Sequence, residues 1–254
     1  MRAARTTPRT EAAIAWQHSC QALIVDSVEP WAHGSVLRSP LAPDWWDANL
    51  VRVEGPDTGL QASELIALVD GLQGDLQHRR VVVEDEAAAN RLRAQFDDAG
   101  WETERLVMLL RSGPPPEAPE DVVEASYADT RALRLEWHHS SDWGDEEALH
   151  LDSAEAVAVR VGTRAFVARG EDGEPIGFCS LFSLADGAEV DQAYVTPSAR
   201  GRGLGARLIS AALAAGGHHT NWIVADDEGR PKGLYQRLGF EPVWRWCTFT
   251  RLPT

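Results

Sequence analysis

The sequence predicts an α+β protein built in two halves. Three observations carry this. Strand-like and helix-like stretches alternate along all 254 residues instead of segregating. A proline cluster, Ser112-Gly-Pro-Pro-Pro-Glu-Ala-Pro-Glu120, cuts the chain near its middle, and such a run neither continues a helix nor pairs inside a sheet. The two halves also end alike. Arg91-Leu-Arg-Ala-Gln-Phe-Asp-Asp-Ala-Gly-Trp-Glu102 lies over Arg230-Pro-Lys-Gly-Leu-Tyr-Gln-Arg-Leu-Gly-Phe-Glu241 without a gap. Phe96 matches Tyr235, Gly100 matches Gly239 and Trp101 matches Phe240, the mark of an internal duplication at domain scale. The expected division is a first domain over 1–112, a linker over 113–119 and a second domain over 120–254.

In the first half a helix is expected over 11–27, then short strands over 34–38 and 48–54. The turn Gly55-Pro-Asp-Thr-Gly59 leads to a helix over 61–72, with Ser63 near its start. Val81-Val82-Val83 reads as a short buried strand. A helix over 86–98 stops at Gly100, and a strand over 101–110 follows.

The second half opens with a strand near Val122 and helical stretches over 127–140 and 145–161. Strands over 164–169 and 175–184 flank Gly170-Glu-Asp-Gly173, a hairpin signal. A strand over 188–196 then runs through a Pro-Ser-Ala bend into a glycine- and arginine-rich loop and a helix over 204–215. A strand over 221–225, a helix over 231–238 begun by Pro231, and a strand over 240–251 complete the half.

The loop concentrates the chemistry. Gly201, Gly203 and Gly205 leave the main chain approachable, and Arg200, Arg202 and Arg207 add positive charge to a chain of formal net charge −15. The first amides of the following helix have no partner inside it and carry the positive end of its dipole, so a phosphate belongs there. Two other phosphate readings are weaker. There is no Walker lysine (Lys232 is the only lysine), which argues against nucleoside triphosphate hydrolysis. Gly201-x-Gly203-x-x-Ala206 with Asp226 downstream also meets a dinucleotide fingerprint. Yet 197–200 separate strand from glycine, and a hairpin precedes the unit where a parallel strand-helix unit would be required.

Val195-Thr-Pro-Ser-Ala-Arg-Gly-Arg-Gly-Leu-Gly-Ala206 resembles the acetyl-CoA loop of the GNAT N-acetyltransferases, pattern Gln/Arg-x-x-Gly-x-Gly/Ala, with Arg200, Gly203 and Gly205 on its fixed positions. Leu234-Tyr-Gln-Arg-Leu-Gly-Phe240 resembles the family's second landmark, Leu-Tyr-x-x-x-Gly-Phe. The resemblance covers 120–254, and the shared ending extends it to a degenerate copy in the first half, which lacks the loop and has Phe for Tyr. It implies two domains, each a twisted mixed, mostly antiparallel sheet flanked by helices.

The resemblance further implies transfer of an acetyl group from acetyl-CoA to a primary amine by direct attack. Arg200, Gly201, Arg202, Gly203, Leu204, Gly205 and Ala206 would hold the pyrophosphate. The main chain of Ala193, Tyr194 and Val195 would pair with the pantetheine arm and bind the thioester oxygen. Tyr235 would be the acid that protonates the leaving sulfur. Glu189 and Asp191, two apart on one strand face, would be the bases. Trp137, His138, Asp142 and Trp143, near His139, Asp145 and Glu146, would form the acceptor site, aromatic faces beside carboxylates suiting a cationic amine. Relatives carry Asn seven residues before the tyrosine, where this chain has Glu228, so acyl groups other than acetyl stay open. A non-catalytic acyl-CoA sensor would keep the loop but need neither Tyr235 nor a base.

The acidic balance argues against a nucleic-acid surface, and no apolar run is long enough for a membrane span. No apolar core follows the basic first ten residues, so the cytoplasm is expected, with Cys20, Cys179 and Cys247 as reduced thiols. No metal is inferred from the scattered cysteines and histidines. Monomer and homodimer both remain open.

Overall fold

A computed structural model describes residues 7–139, 147–229 and 231–252. It forms two compact units. The first takes residues 1–108 with 225–229 and 243–254, and the second takes 109–224 with 230–242. The break after residue 108 falls just before the proline cluster. The last strand of the chain belongs with the first half.

In the first unit, α1 (Pro8–Ile24) is capped by Thr7, whose hydroxyl accepts from the Thr10 amide. It precedes β1 (Ser27–Trp31), β2 (Gly34–Arg38) and β3 (Leu50–Val53). Then come α2 (Ala62–Leu72), β4 (Arg79–Val83), α3 (Glu86–Asp98) and β5 (Glu102–Ser112), which runs on into the second unit. The helix expected to reach residue 27 ends three residues earlier. There Asp26 donates its amide to the Arg38 carbonyl and β1 pairs antiparallel with β2. Neighbouring strands β2 and β3 are antiparallel and β3 and β4 are parallel.

The second unit holds β6 (Val122–Ala125), α4 (Arg131–His139) and α5 (Glu147–Arg160). It continues through β7 (Arg164–Arg169), β8 (Pro175–Leu184), β9 (Gly187–Val195), α6 (Leu204–Gly216), β10 (Thr220–Asp226) and α7 (Pro231–Arg237). Strands β6 to β9 pair antiparallel in succession, and β9 pairs parallel with β10. The expected hairpin at Gly170 forms, with the Gly173 amide on the Gly170 carbonyl at 3.0 Å. Within each unit the strands are mixed, mostly antiparallel and flanked by helices, as the sequence predicts, but all eleven strands belong to one sheet where two were expected.

The closing strand of the chain, β11 (Glu241–Arg251), runs antiparallel to β4, pairing Cys247 with Val83 and Arg251 with Arg79. Phe249 is fully buried there and stacks on Phe96 at 4.1 Å between ring centroids. Both belong to the core made by the valines of β3 and β4 and the inner faces of α2 and α3. In the second unit α6 packs on β7, β8 and β9, burying Leu208, Ile209, Ala212 and Leu213.

The duplicated endings superimpose in their hydrogen bonds. The Trp101 amide donates to the Phe96 carbonyl at 3.0 Å, and the Phe240 amide to the Tyr235 carbonyl at 3.1 Å. Gly100 and Gly239 take the same left-handed turn, at φ of 77° and 87°.

Candidate active site

The site is built on β9 and α6. Their order, strand, loop, helix, parallel strand, repeats β3–α2–β4, and the differences between the copies show what each can hold. In the first unit β3 and β4 stay paired to their ends, Val53 opposite Val83, and the Glu84 amide then donates to the Val53 carbonyl. The start of α2 is closed by side chains: Glu64 of α2 accepts from the Gln61 amide at 2.7 Å, and Gln95 of α3 accepts from the Ala62 amide at 3.1 Å.

In the second unit both features open. The register between β9 and β10 runs from Ala188 opposite Asn221 to Val190 opposite Ile223, while β9 remains paired with β8 as far as Val195 opposite Gly177. A β-bulge lies in that far stretch. Ser180 faces Asp191 and Cys179 faces Ala193, so Gln192 is the extra residue. Its φ of 40° is the only positive value at a non-glycine among the described residues. Nothing in the sequence pointed to Gln192, because glutamine carries no turn preference.

Between β9 and α6 a short 3-10 turn (Pro197–Ala199) turns the chain. Gly201 and Gly203 then sit at φ of 80° and 76°, with open space where a Cβ would project. The first backbone bond of α6 runs from the Arg207 amide to the Gly203 carbonyl. Among the described residues no carbonyl accepts from the amides of Gly201, Arg202, Gly203, Leu204, Gly205 or Ala206. They form a cluster of donors at the positive end of a thirteen-residue helix. Arg200 is braced by a bond from Nε to the Val195 carbonyl and lies over the Tyr194 ring at 5.7 Å, and Arg202 donates to the Ser198 carbonyl. Arg207 pairs with Asp121 at 3.0 Å.

Tyr235, in α7, is buried. Burial first, then the nearby Asp191 carboxylate, push its phenol up to about 12. The Tyr127 phenol is raised to about 12 for the same two reasons, so the charge of Asp191 reaches both hydroxyls. Glu189 is half-buried and Asp191 exposed; both precede the bulge, so they keep one strand face. Tyr235, Asp191 and the loop all belong to the second unit.

Of the residues expected around the acceptor, Trp137 is half-buried against Leu133, Val167, Phe178 and Tyr194, stacked on the Tyr194 ring at 6.4 Å. Tyr194 meets Glu136 through its hydroxyl at 3.1 Å, and its side chain is core. His138 is buried in the last turn of α4. Asp142, Trp143, Asp145 and Glu146 lie outside the described residues. Glu228 is gripped by Arg93 through both oxygens, at 2.8 and 3.2 Å, which holds its carboxyl below the usual range. Among the described residues no group of His, Cys, Asp and Glu could hold a metal, and no helix is long and apolar enough to cross a membrane.

The family comparison fits this geometry. Residues 162–242 match the acetyltransferase (GNAT) domain. That match covers about a third of the chain. Its span takes in the bulged strand, the donor loop, α6, β10 and α7. No curated protein matches the chain. Solved structures share the fold at low identity. A functionally unknown conserved protein from Staphylococcus epidermidis has a TM-score of 0.75 at 13% identity, over 91% of this chain and 95% of its own. A GCN5-related N-acetyltransferase from Kribbella flavida gives 0.53 at 21%, over 99% and 97%. A tandem GNAT protein from the clavulanic acid biosynthesis pathway gives 0.50 at 18%, over 89% and 81%. The GNAT fold is one that supports acyl transfer from acyl-CoA.

Proposed function

We propose that the chain transfers an acetyl group from acetyl-CoA to a primary amine of a small molecule or peptide, by direct attack and with no acyl-enzyme. One observation carries the reading: six consecutive amides, 201–206, have no carbonyl partner among the described residues at the start of α6, beside a strand whose pairing with β10 ends at Val190. The first feature suits a diphosphate. The second suits an extended amide-bearing chain that adds to an open strand edge. A coenzyme A thioester has both parts.

In the reaction the amine nitrogen forms a bond to the thioester carbonyl carbon as the carbon–sulfur bond breaks. Asp191 and Glu189 are the candidate bases for the proton that nitrogen loses. Tyr235 supplies a proton to the departing sulfur. Its raised value means that it holds its proton at neutral pH and can donate to the sulfur as that atom leaves. Amides of 193–195, after the bulge, stabilise the charge that builds on the thioester oxygen. Carboxylates on the strand face and a net charge of −15 favour a cationic acceptor.

Two measurements test the reading. Calorimetric titration with acetyl-CoA should show saturable binding, and acetyl-CoA should be consumed in the presence of an amine panel. Y235F should lower kcat at least about tenfold while the acetyl-CoA Kd stays within about twofold. Binding with no turnover on any amine would favour the sensor. No binding at millimolar ligand would remove the proposal.

A further inference from the structure

We propose that Tyr127 is a positioning residue for this reaction, acting through Gln192 to hold open the bulge of β9 that sets the amides of residues 193–195. The inference rests on the reading above, and it assigns a role to two residues that the loop and landmark motifs leave out.

The starting point is a conformation that needs a cause. Glutamine at a φ of 40° costs about 1–2 kcal/mol relative to the extended region. Neither a glycine nor a capping interaction removes that cost at this position. The side chain offers the compensation: its Oε1 accepts from the Tyr127 hydroxyl at 3.0 Å in a partly buried setting. A lost bond of that kind leaves a polar group without its partner.

Tyr127 is itself immobilised. It follows Ser126, whose hydroxyl accepts from the Asp129 amide in a capping box. Its carbonyl accepts from Thr130 Oγ1 at 2.7 Å, and Thr130 accepts in turn from Arg134 Nε at 3.1 Å. The Arg134 guanidinium lies over the phenol ring at 4.3 Å, and the ring packs with Ala158 and Ala165. Every contact of the ring fixes where the hydroxyl sits, and the hydroxyl fixes Gln192. The Tyr127 phenol stays protonated, so it donates.

Without the hydroxyl, the relaxed state is available: Gln192 returns to the extended region, and residues 193–195 resume plain alternation against β8. That displaces the amides from the thioester oxygen while leaving the 201–206 loop intact. The loss should therefore fall on kcat, with little change in diphosphate binding.

The test is a double-mutant cycle with Y127F and Q192G. Y127F should lower kcat at least about tenfold, with the acetyl-CoA KM within about threefold. Glycine enters a positive φ without a brace. In the Q192G background, removing the Tyr127 hydroxyl should therefore change kcat by less than about twofold, whatever the rate of Q192G alone. Hydrogen exchange at residues 191–195 reads the same device without ligand: it should rise in Y127F, and adding Y127F to Q192G should not raise it further. A full Y127F loss in the Q192G background, or no change in exchange in Y127F, would overturn the proposal. If no variant binds acetyl-CoA, the transferase reading falls, while the exchange data still judge the Tyr127–Gln192 brace.

Discussion

At the scale of single residues, two phenols dominate the chemistry of the second unit, and both should leave a mark on stability. Tyr127 and Tyr235 titrate near 12 in the folded chain against 10 for an ordinary phenol. Below about pH 10 folded and unfolded chains both keep these protons, and the contribution is constant. Between about 10 and 12 the unfolded chain releases them and the folded chain does not. Stability should fall there by about 1.4 kcal/mol per pH unit for each phenol. The buried Cys179 and Cys247 thiols, pushed up by desolvation, act in the same direction from about pH 9. The arginine-rich, nearly lysine-free composition adds little of its own in this window. Urea midpoints measured between pH 9 and 11 should drop for the wild type and drop less for Y235F. Equal slopes would show that the phenol is not shielded as described.

At the scale of elements, the start of α6 is where conformation and binding meet. Gly203 is its N-cap, left-handed at a φ of 76°. A β-branched residue there is strained, so G203V should cost about 1–2 kcal/mol of stability and re-aim the donor amides. We expect acetyl-CoA affinity to fall at least about tenfold by calorimetry, well beyond the shift in melting temperature. This element was legible in the sequence because glycine spacing and arginine charge are properties of residue type. The same holds for α7 and the Gly170 hairpin. The bulge was not legible, because a Gln at positive φ is imposed by Tyr127, sixty-five residues away. Strand β1 was missed for a local reason: Ser-Val-Glu-Pro-Trp carries a proline and little alternation, and only an edge position tolerates it.

At the scale of the whole molecule, the unexpected finding is the destination of β11. Hydrophobic patterning reports that a strand is buried but not which strand it joins. The duplicated endings suggested that each half keeps its own last strand. Instead β11 borders β4, and Phe249 fills the core of the first unit beside Phe96. Loss of that ring alone should cost about 3–5 kcal/mol. A chain ending at residue 240 should expose the β4 edge and lose protection from hydrogen exchange at 79–83. A chain ending at residue 252 should keep it. Retained protection in the shorter chain would mean that β11 is dispensable to the first unit.

That arrangement bears on how the protein is made. Arg80 and Thr250 are bonded partners 170 residues apart. At about 5–20 residues per second, a ribosome takes roughly ten to thirty seconds to travel between their codons. Throughout that interval the emerging N-terminal portion waits, unfinished, with a bare strand available to chaperones or to neighbouring nascent chains. Completion comes only once β11 has been made. A gene split at the proline cluster would therefore encode a front fragment with no means of finishing itself.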